Sequence, residues 1–182
     1  PDWLSTWGTR LVVSAVALIL ALVSPFGVVI VLLVRGVRLL WQLLWLSRTQ
    51  PDGLVKLCYQ NRQIRSELLD IFVILIFAMP VLIYDLVITR LQPVLSAWNT
   101  QNLTPSPPVW DVLIAFSPAI LLAALAVFSR LRKAGWRADT LVAWLLVGLV
   151  LMYFPWSLQR RFIMGLYVPI AGLAVPGLEA LV

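Results

Sequence analysis

WNTQNLTPSPPVW, residues 98–110, is a long polar stretch without Lys or Arg between two strongly apolar segments. Three prolines within residues 105–108 remove backbone donors and fix φ, so an ordinary helix or a central strand is not expected there. A tryptophan stands at each end of the stretch, as is common where a chain crosses the membrane–water interface. The pattern predicts a stiff extracytoplasmic loop, covering residues 92–108, between two transmembrane helices.

The composition extends this interpretation to the whole chain. Hydrophobic residues make up 62%, mean hydropathy is +0.96, and the 12% of charged residues cluster between apolar runs. Runs of about twenty residues favour membrane helices, because a β-barrel would show short alternating segments instead. We therefore expect an all-α, polytopic integral membrane protein with about five transmembrane helices, several kinked by proline. The predicted spans are about 11–34, 69–91, 109–129, 140–158 and 162–182.

The charge and the rare residue types exclude several functions. The net charge of +6 would suggest nucleic acid in a soluble protein, but here basic residues mark cytoplasmic loops, so no nucleic-acid partner is predicted. The sequence contains one cysteine and no histidine. An internal disulfide, histidine-based metal sites and Ser-His-Asp catalysis are therefore excluded within this chain. No cofactor, metal site or complete catalytic group is predicted.

Basic residues also predict the orientation. Ten of the fourteen Lys and Arg residues lie in the segment 35–68 and in the turn 130–139, so both should be cytoplasmic. Five spans then place the N-terminus outside and the C-terminus inside. Residues 35–47 have apolar positions at helical spacing, which fits either a helix in the interface plane or a cytoplasmic extension of the first helix. The chain runs from a proline to a valine without a polar tail, and we expect it to be part of a longer protein.

Arg160 and Arg161 depart from this charge pattern. They lie in a connection of about three residues on the predicted extracytoplasmic side. Guanidinium groups suit phosphate and carboxylate, so the pair can hold the phosphate of a lipid-linked donor. The competing interpretation is that both side chains reach to ordinary phospholipid phosphates.

Asp85 is the acid of greatest interest. It lies about five residues before the end of the second predicted span, where an ionisable group should face a cavity or a partner. Alternatively, it is solvated in the outer headgroup region. Asp111 is expected to favour the start of the third span electrostatically. The sequence does not fix the separation of these two carboxylates.

Two segments carry a resemblance to a known family: PVLIYDLVITRLQPVLSAWNTQNLTPSPP (80–108) and LMYFPWSLQRRFIMGLYVPIAGLAVPGL (151–178). They resemble the C-terminal part of large bacterial polytopic proteins that are similar to family C glycosyltransferases of the dolichyl-phosphate-mannose mannosyltransferase kind. The matching positions are, in order, Trp98, Gln101, Asn102, Thr104, Pro105, Ser106, Pro107, Pro108, Gln159, Arg160, Arg161, Phe162, Gly165, Leu166, Tyr167 and Pro169.

The resemblance implies transfer of a sugar from a polyprenyl-phosphate donor at the extracytoplasmic face of a bacterial plasma membrane. In that family the catalytic acid lies in the first extracytoplasmic loop, whereas residues 1–10 here contain only Asp2. The chain would thus be a non-catalytic C-terminal half that contributes donor contacts. Substrate-binding candidates are Arg160, Arg161, Asp85, Trp98, Gln101 and Asn102.

Two other functions compete with the transferase hypothesis. One is a non-enzymatic membrane subunit or scaffold of a larger complex, with other membrane subunits as partners. It is favoured by the small size, the odd number of spans and the missing acidic loop. The other is a transporter element that uses Asp85 and proline-broken helices. It ranks last because charge within the predicted spans is scarce.

Overall fold

In the computed structural model, the described residues are 2–49, 61–101, 105–131, 140–154 and 159–181. They form α-helices and one 3₁₀ turn, without strands, so the all-α class is confirmed. Three of the helices are long and apolar enough to cross a membrane, and a bent helix pair makes a fourth candidate. Five spans were predicted. Contacts divide the chain into two compact units, Pro1–Asn102 and Leu103–Val182.

The first unit begins with two helices, α1 (Asp2–Val23) and α2 (Pro25–Thr49). The Ser24 N–H donates to the Leu20 carbonyl (2.7 Å) and ends α1, and Pro25, which has no N–H to lose, begins α2. Val12 and Arg35 line one cavity, although a straight helix would separate them by about 34 Å. The two helices therefore fold back on each other at Ser24, which differs from the kinked single span predicted over 11–34.

Helix α3 (Arg62–Leu91) packs against both arms of this hairpin. The contacts form an apolar cluster in which small side chains let the helices approach closely. Its buried members are Ala17, Ala21, Val28, Ile74 and Ala78, and along α3 it extends to Leu82. Helix α2 continues without a break through residues 35–47, as the helix-extension alternative requires.

The polar stretch after α3 is partly helical, which corrects the predicted loop. Helix α4 covers Pro93–Gln101, with its proline at the first position, where the missing N–H is harmless. The prolines that forbid a helix begin only at residue 105, so residues 98–101 remain free to be helical. Residues 105–108 are non-helical, and α5 (Val109–Ala115) follows directly.

The second unit is built around its last helix. Helix α5 and helix α6 (Ala119–Leu131) are separated by a turn at residues 116–118 and are bent by 92° relative to each other. Helix α7 (Thr140–Tyr153) and a 3₁₀ turn (Gln159–Phe162) lead into α8 (Ile163–Glu179). Leu166, Ile170 and Leu173 of α8 are fully buried in a core with residues of α6 and α7.

Candidate functional site

Arg160 and Arg161 lie in the 3₁₀ turn that enters α8. Phe162, only 1% exposed, anchors this turn in the core, while both arginines are exposed. No described carboxylate lies within salt-bridge distance of Arg160. The turn continues directly into α8, so the positive end of the helix dipole lies at the same place as the two positive side chains.

The proline-rich segment, residues 105–108, is held at the C-terminal end of α7. The Ser106 hydroxyl donates to the Met152 carbonyl, and the Tyr153 hydroxyl donates to the Pro107 carbonyl (3.2 Å). The arginine turn also packs against α7. Helix α7 thus connects the two motifs that are 50 residues apart in the sequence, and together they form what we call the arginine–proline end of the second unit.

Asp111 belongs to the same unit and is exposed in the first turn of α5. The Asp111 N–H donates to the Pro108 carbonyl (3.0 Å), which starts the helix directly after the proline-rich segment. A carboxylate at this position interacts favourably with the helix dipole. This placement agrees with the helix-start role expected from the sequence.

Asp85, Trp98 and Gln101 belong to the first unit, whereas the two arginines belong to the second. Asp85 is half-buried on α3, and no hydrogen bond or salt bridge joins it to another described residue. Trp98 is 52% exposed on α4, and Gln101, the last residue of α4, is exposed. Asn102 lies outside the described residues.

The first unit contains a charged cluster that was not predicted from the sequence. Nη1 of Arg35 lies 3.1 Å from a carboxylate oxygen of Glu67 and 3.1 Å from one of Asp70. Nη2 of Arg38 lies 3.4 Å from the other Glu67 oxygen. All four side chains are 14–25% exposed, so the pairs are partly shielded from water. They join the middle of α2 to the first three turns of α3.

A signal for this cluster was present in the sequence. Arg35 and Arg38 are three residues apart, and so are Glu67 and Asp70. Each pair therefore occupies one face of its helix, and opposite charges at equal spacing favour side-by-side packing. The basic residues of segment 35–68 had been interpreted as orientation signals.

Within the described ranges, no group of three His, Cys, Asp or Glu side chains is placed to hold a metal ion. Comparisons of the chain with protein families, curated proteins and solved structures found no match. The geometry of the two units is therefore the basis for assigning a function.

Proposed function

We propose that the arginine–proline end binds the phosphate of a polyprenyl-phosphate-linked sugar, and that the chain is the membrane half of a glycosyltransferase-like protein. The observation that carries the proposal is the placement of Arg160 and Arg161 at the start of α8, in a turn that packs against α7, the helix that also holds the proline-rich segment. On this proposal the site lies at the extracytoplasmic face of a bacterial plasma membrane. The other substrate-binding candidates predicted from the sequence, Asp85, Trp98, Gln101 and Asn102, belong to the first unit and are not part of this proposal.

The helix dipole supports binding of an anion. Cations are favourable at the C-terminus of a helix and unfavourable at its N-terminus, by about 0.3–1 kcal/mol each. Two arginines at the start of α8 therefore oppose the local field. A bound phosphate removes this conflict because it interacts favourably with both guanidinium groups and with the helix start.

The proline-rich segment supports a site with a fixed shape. Proline limits the backbone to few conformations, and the hydrogen bonds to Met152 and Tyr153 hold the segment at one end of α7. Ordering a loop on binding would lower affinity, so a loop that is already held favours recognition of a ligand.

Ligand binding by the purified chain tests the proposal. The double variant Arg160→Gln/Arg161→Gln should bind a polyprenyl phosphate roughly tenfold to hundredfold more weakly, since each charge-assisted hydrogen bond contributes about 1.5–3 kcal/mol. Arg90→Gln, which removes an exposed arginine from the last turn of α3, is the matched control and should leave binding unchanged. Intrinsic fluorescence of the nine tryptophans provides the readout.

Two further ligands separate this proposal from ordinary lipid anchoring. The uncharged polyprenol should bind weakly to every variant, because it lacks the phosphate. Phosphatidylglycerol should compete poorly with the polyprenyl phosphate. Equal affinity for the two phosphates, or an unchanged affinity of the double variant, would contradict the assignment.

A non-enzymatic membrane subunit is the second candidate. The observation that favours it is the uncovered apolar surface of α3. Only 11% of the most apolar 18-residue stretch of this helix is buried by other described residues. Such a surface contacts either lipid or helices of a partner. Stable copurification with fixed membrane proteins, together with no polyprenyl-phosphate binding, would support this function instead.

A further inference from the structure

Helix α4 has one apolar side and one polar side. Successive residues of a helix are turned by about 100°, which places Val94, Leu95 and Trp98 on one side and Ser96 and Thr100 on the opposite side. The three apolar side chains are 78%, 39% and 52% exposed, and no residue of α4 is buried. The apolar side of α4 is therefore left largely uncovered by the described part of the chain.

Helix α4 is also short for a helix that buries none of its residues. Isolated helices below about 12–15 residues are marginal in water, because the first turn fixes several backbone angles for a single hydrogen bond. Helix α4 has 9 residues. Contact of its apolar side with a surface outside the described chain would supply the missing stabilisation.

The end of α3 fixes the level of α4 relative to a membrane. Residues 71–91 follow the charged cluster, and at 1.5 Å per residue they extend over about 31 Å, close to the thickness of a hydrocarbon core. In a membrane that α3 spans, Leu91 therefore lies at the boundary. Only Gln92 separates Leu91 from α4, so all of α4 lies within about 17 Å of this boundary.

The chain changes direction at Gln92. Proline disfavours a helical backbone in the residue before it, and Gln92, which precedes Pro93, is extended with φ −86° and ψ 114°. One extended residue between two helices turns the second helix away from the axis of the first. Helix α4 therefore does not continue out of the membrane in line with α3.

We propose that α4 lies in the interfacial layer of the bilayer, with Val94, Leu95 and Trp98 against the acyl chains and Ser96 and Thr100 toward water. The inference uses the membrane placement of the proposed function but not its ligand. Amphipathic helices of this kind bury their apolar side about 5–10 Å into the boundary between headgroups and acyl chains, and tryptophan is enriched there. At this level the surrounding medium is itself lipid, so no partner protein has to be assumed.

Fluorescence quenching at two depths tests the placement. Val94→Cys and Ile83→Cys, each in a Cys58→Ser background, carry an environment-sensitive fluorophore, and the full chain is reconstituted into phosphatidylcholine vesicles. The vesicles contain lipids with a nitroxide near the headgroup or near the end of the acyl chain. Position 94 should be quenched roughly twofold more strongly by the shallow nitroxide, as expected for an interfacial helix. Position 83, which is 51% exposed near the middle of residues 71–91, should be quenched more strongly by the deep one.

The two positions separate the inference from the proposed function. Absence of quenching at position 83 would contradict the membrane placement that both share. Quenching at position 83 together with no quenching at position 94, or with stronger quenching of position 94 by the deep nitroxide, would overturn the interfacial placement of α4 alone. Elution of each labelled variant as a single species on size exclusion before reconstitution shows that the fold is kept.

Two positions on opposite sides of α4 test its orientation. In the same vesicles, aqueous iodide should quench a fluorophore at Ser96→Cys several-fold more strongly than one at Val94→Cys. Equal access of iodide to both positions would show that α4 lies in water and would overturn the proposal. Protection of both positions from iodide and from both nitroxides would identify a protein as the covering surface and contradict it.

The lipid composition tests the nature of the contact. Helix α4 contains no charged residue, so its binding depends on apolar area and not on attraction to anionic headgroups. Replacement of phosphatidylcholine by phosphatidylglycerol, or an increase in salt, should leave the nitroxide quenching at position 94 unchanged. Loss of this quenching in one of the two lipids would contradict an apolar contact.

Discussion

At the scale of single residues, Gly177 determines how closely α8 approaches α6. A methyl group at this position would overlap the backbone carbonyl of Leu122. Backbone atoms do not move aside as a flexible side chain does, so Gly177→Ala must separate the helices. We expect a loss of about 1–3 kcal/mol in the free energy of unfolding, as for other overpacked cores. Denaturant titration in detergent micelles, followed by far-UV circular dichroism, measures it.

Gly36 provides a matched control for this substitution. It lies within α2, and a methyl group built there would meet no atom within 4 Å. Replacement of a helical glycine by alanine without a steric conflict should stabilise by about 0.5–1 kcal/mol. Gly36→Ala and Gly177→Ala should therefore change stability in opposite directions. A stabilising effect of Gly177→Ala would show that α6 and α8 are not in close contact.

The charged cluster between α2 and α3 gives a second prediction for single residues. Glu67 contacts both Arg35 and Arg38 and is 14% exposed, whereas Asp70 contacts Arg35 alone and is 23% exposed. Glu67→Gln should therefore cost more stability than Asp70→Asn, about 1–2 kcal/mol against about 0.5–1 kcal/mol. The same denaturant titration compares them. Equal costs would mean that the contact between Glu67 and Arg38 contributes little.

At the scale of helices, the sequence predicted which apolar segments form helices better than it predicted where the chain turns back between them. The apolar runs 69–91, 140–158 and 162–182 overlap α3, α7 and α8, because long apolar segments must satisfy their backbone within a helix. The hairpin at Ser24 was not predicted. A proline in an apolar run permits either a kink or a turn, and the choice depends on packing against Ile74 and Ala78, which are distant in the sequence.

The arginine–proline end was predictable from the sequence only in part. Local chemistry identified Arg160 and Arg161 as unusual, and the prolines as a break between helices. The hydrogen bonds from Ser106 to Met152 and from Tyr153 to Pro107 each join residues that are 46 positions apart. They have no local signal in the sequence, since a hydroxyl group can bond to many kinds of partner. The polar side chains of residues 98–101 favoured a loop, so the helix Pro93–Gln101 was not predicted, although residues 94–101 contain no proline.

For the molecule as a whole, the fold-back of α1 and α2 changes the expected position of the N-terminus. Arg35 pairs with Glu67 and Asp70, and it lines one cavity with Val12. Arg10 precedes Val12 on α1, so it lies near the level of Arg35 and away from the turn at Ser24. The apolar cluster reaches along α3 only as far as Leu82, about 18 Å from Asp70. A hydrocarbon core is about 30 Å thick. We expect the hairpin to enter the membrane and return to the cytoplasmic side.

This arrangement places one more basic residue on the side with most positive charge. A single span over residues 11–34 would put Arg10 outside, whereas the hairpin puts it on the side that the sequence predicts for the six basic residues of segment 35–68. Cytoplasmic placement of all seven agrees better with the positive-inside rule. The N-terminus should therefore be cytoplasmic, in contrast to the orientation predicted from five spans.

Labelling of single cysteines by a membrane-impermeant maleimide in intact cells tests this topology. The native Cys58 reports on the connection between α2 and α3, and Gly8→Cys, Ser24→Cys and Gln101→Cys are each made in a Cys58→Ser background. We expect labelling at position 101 only, with positions 8 and 58 becoming reactive after the membrane is permeabilised. Position 24 should stay unreactive in both states, because in this topology the hairpin turn would lie within the bilayer. Labelling of position 8 in intact cells would restore the single-span topology, and labelling of position 24 there would mean that the hairpin crosses the membrane completely.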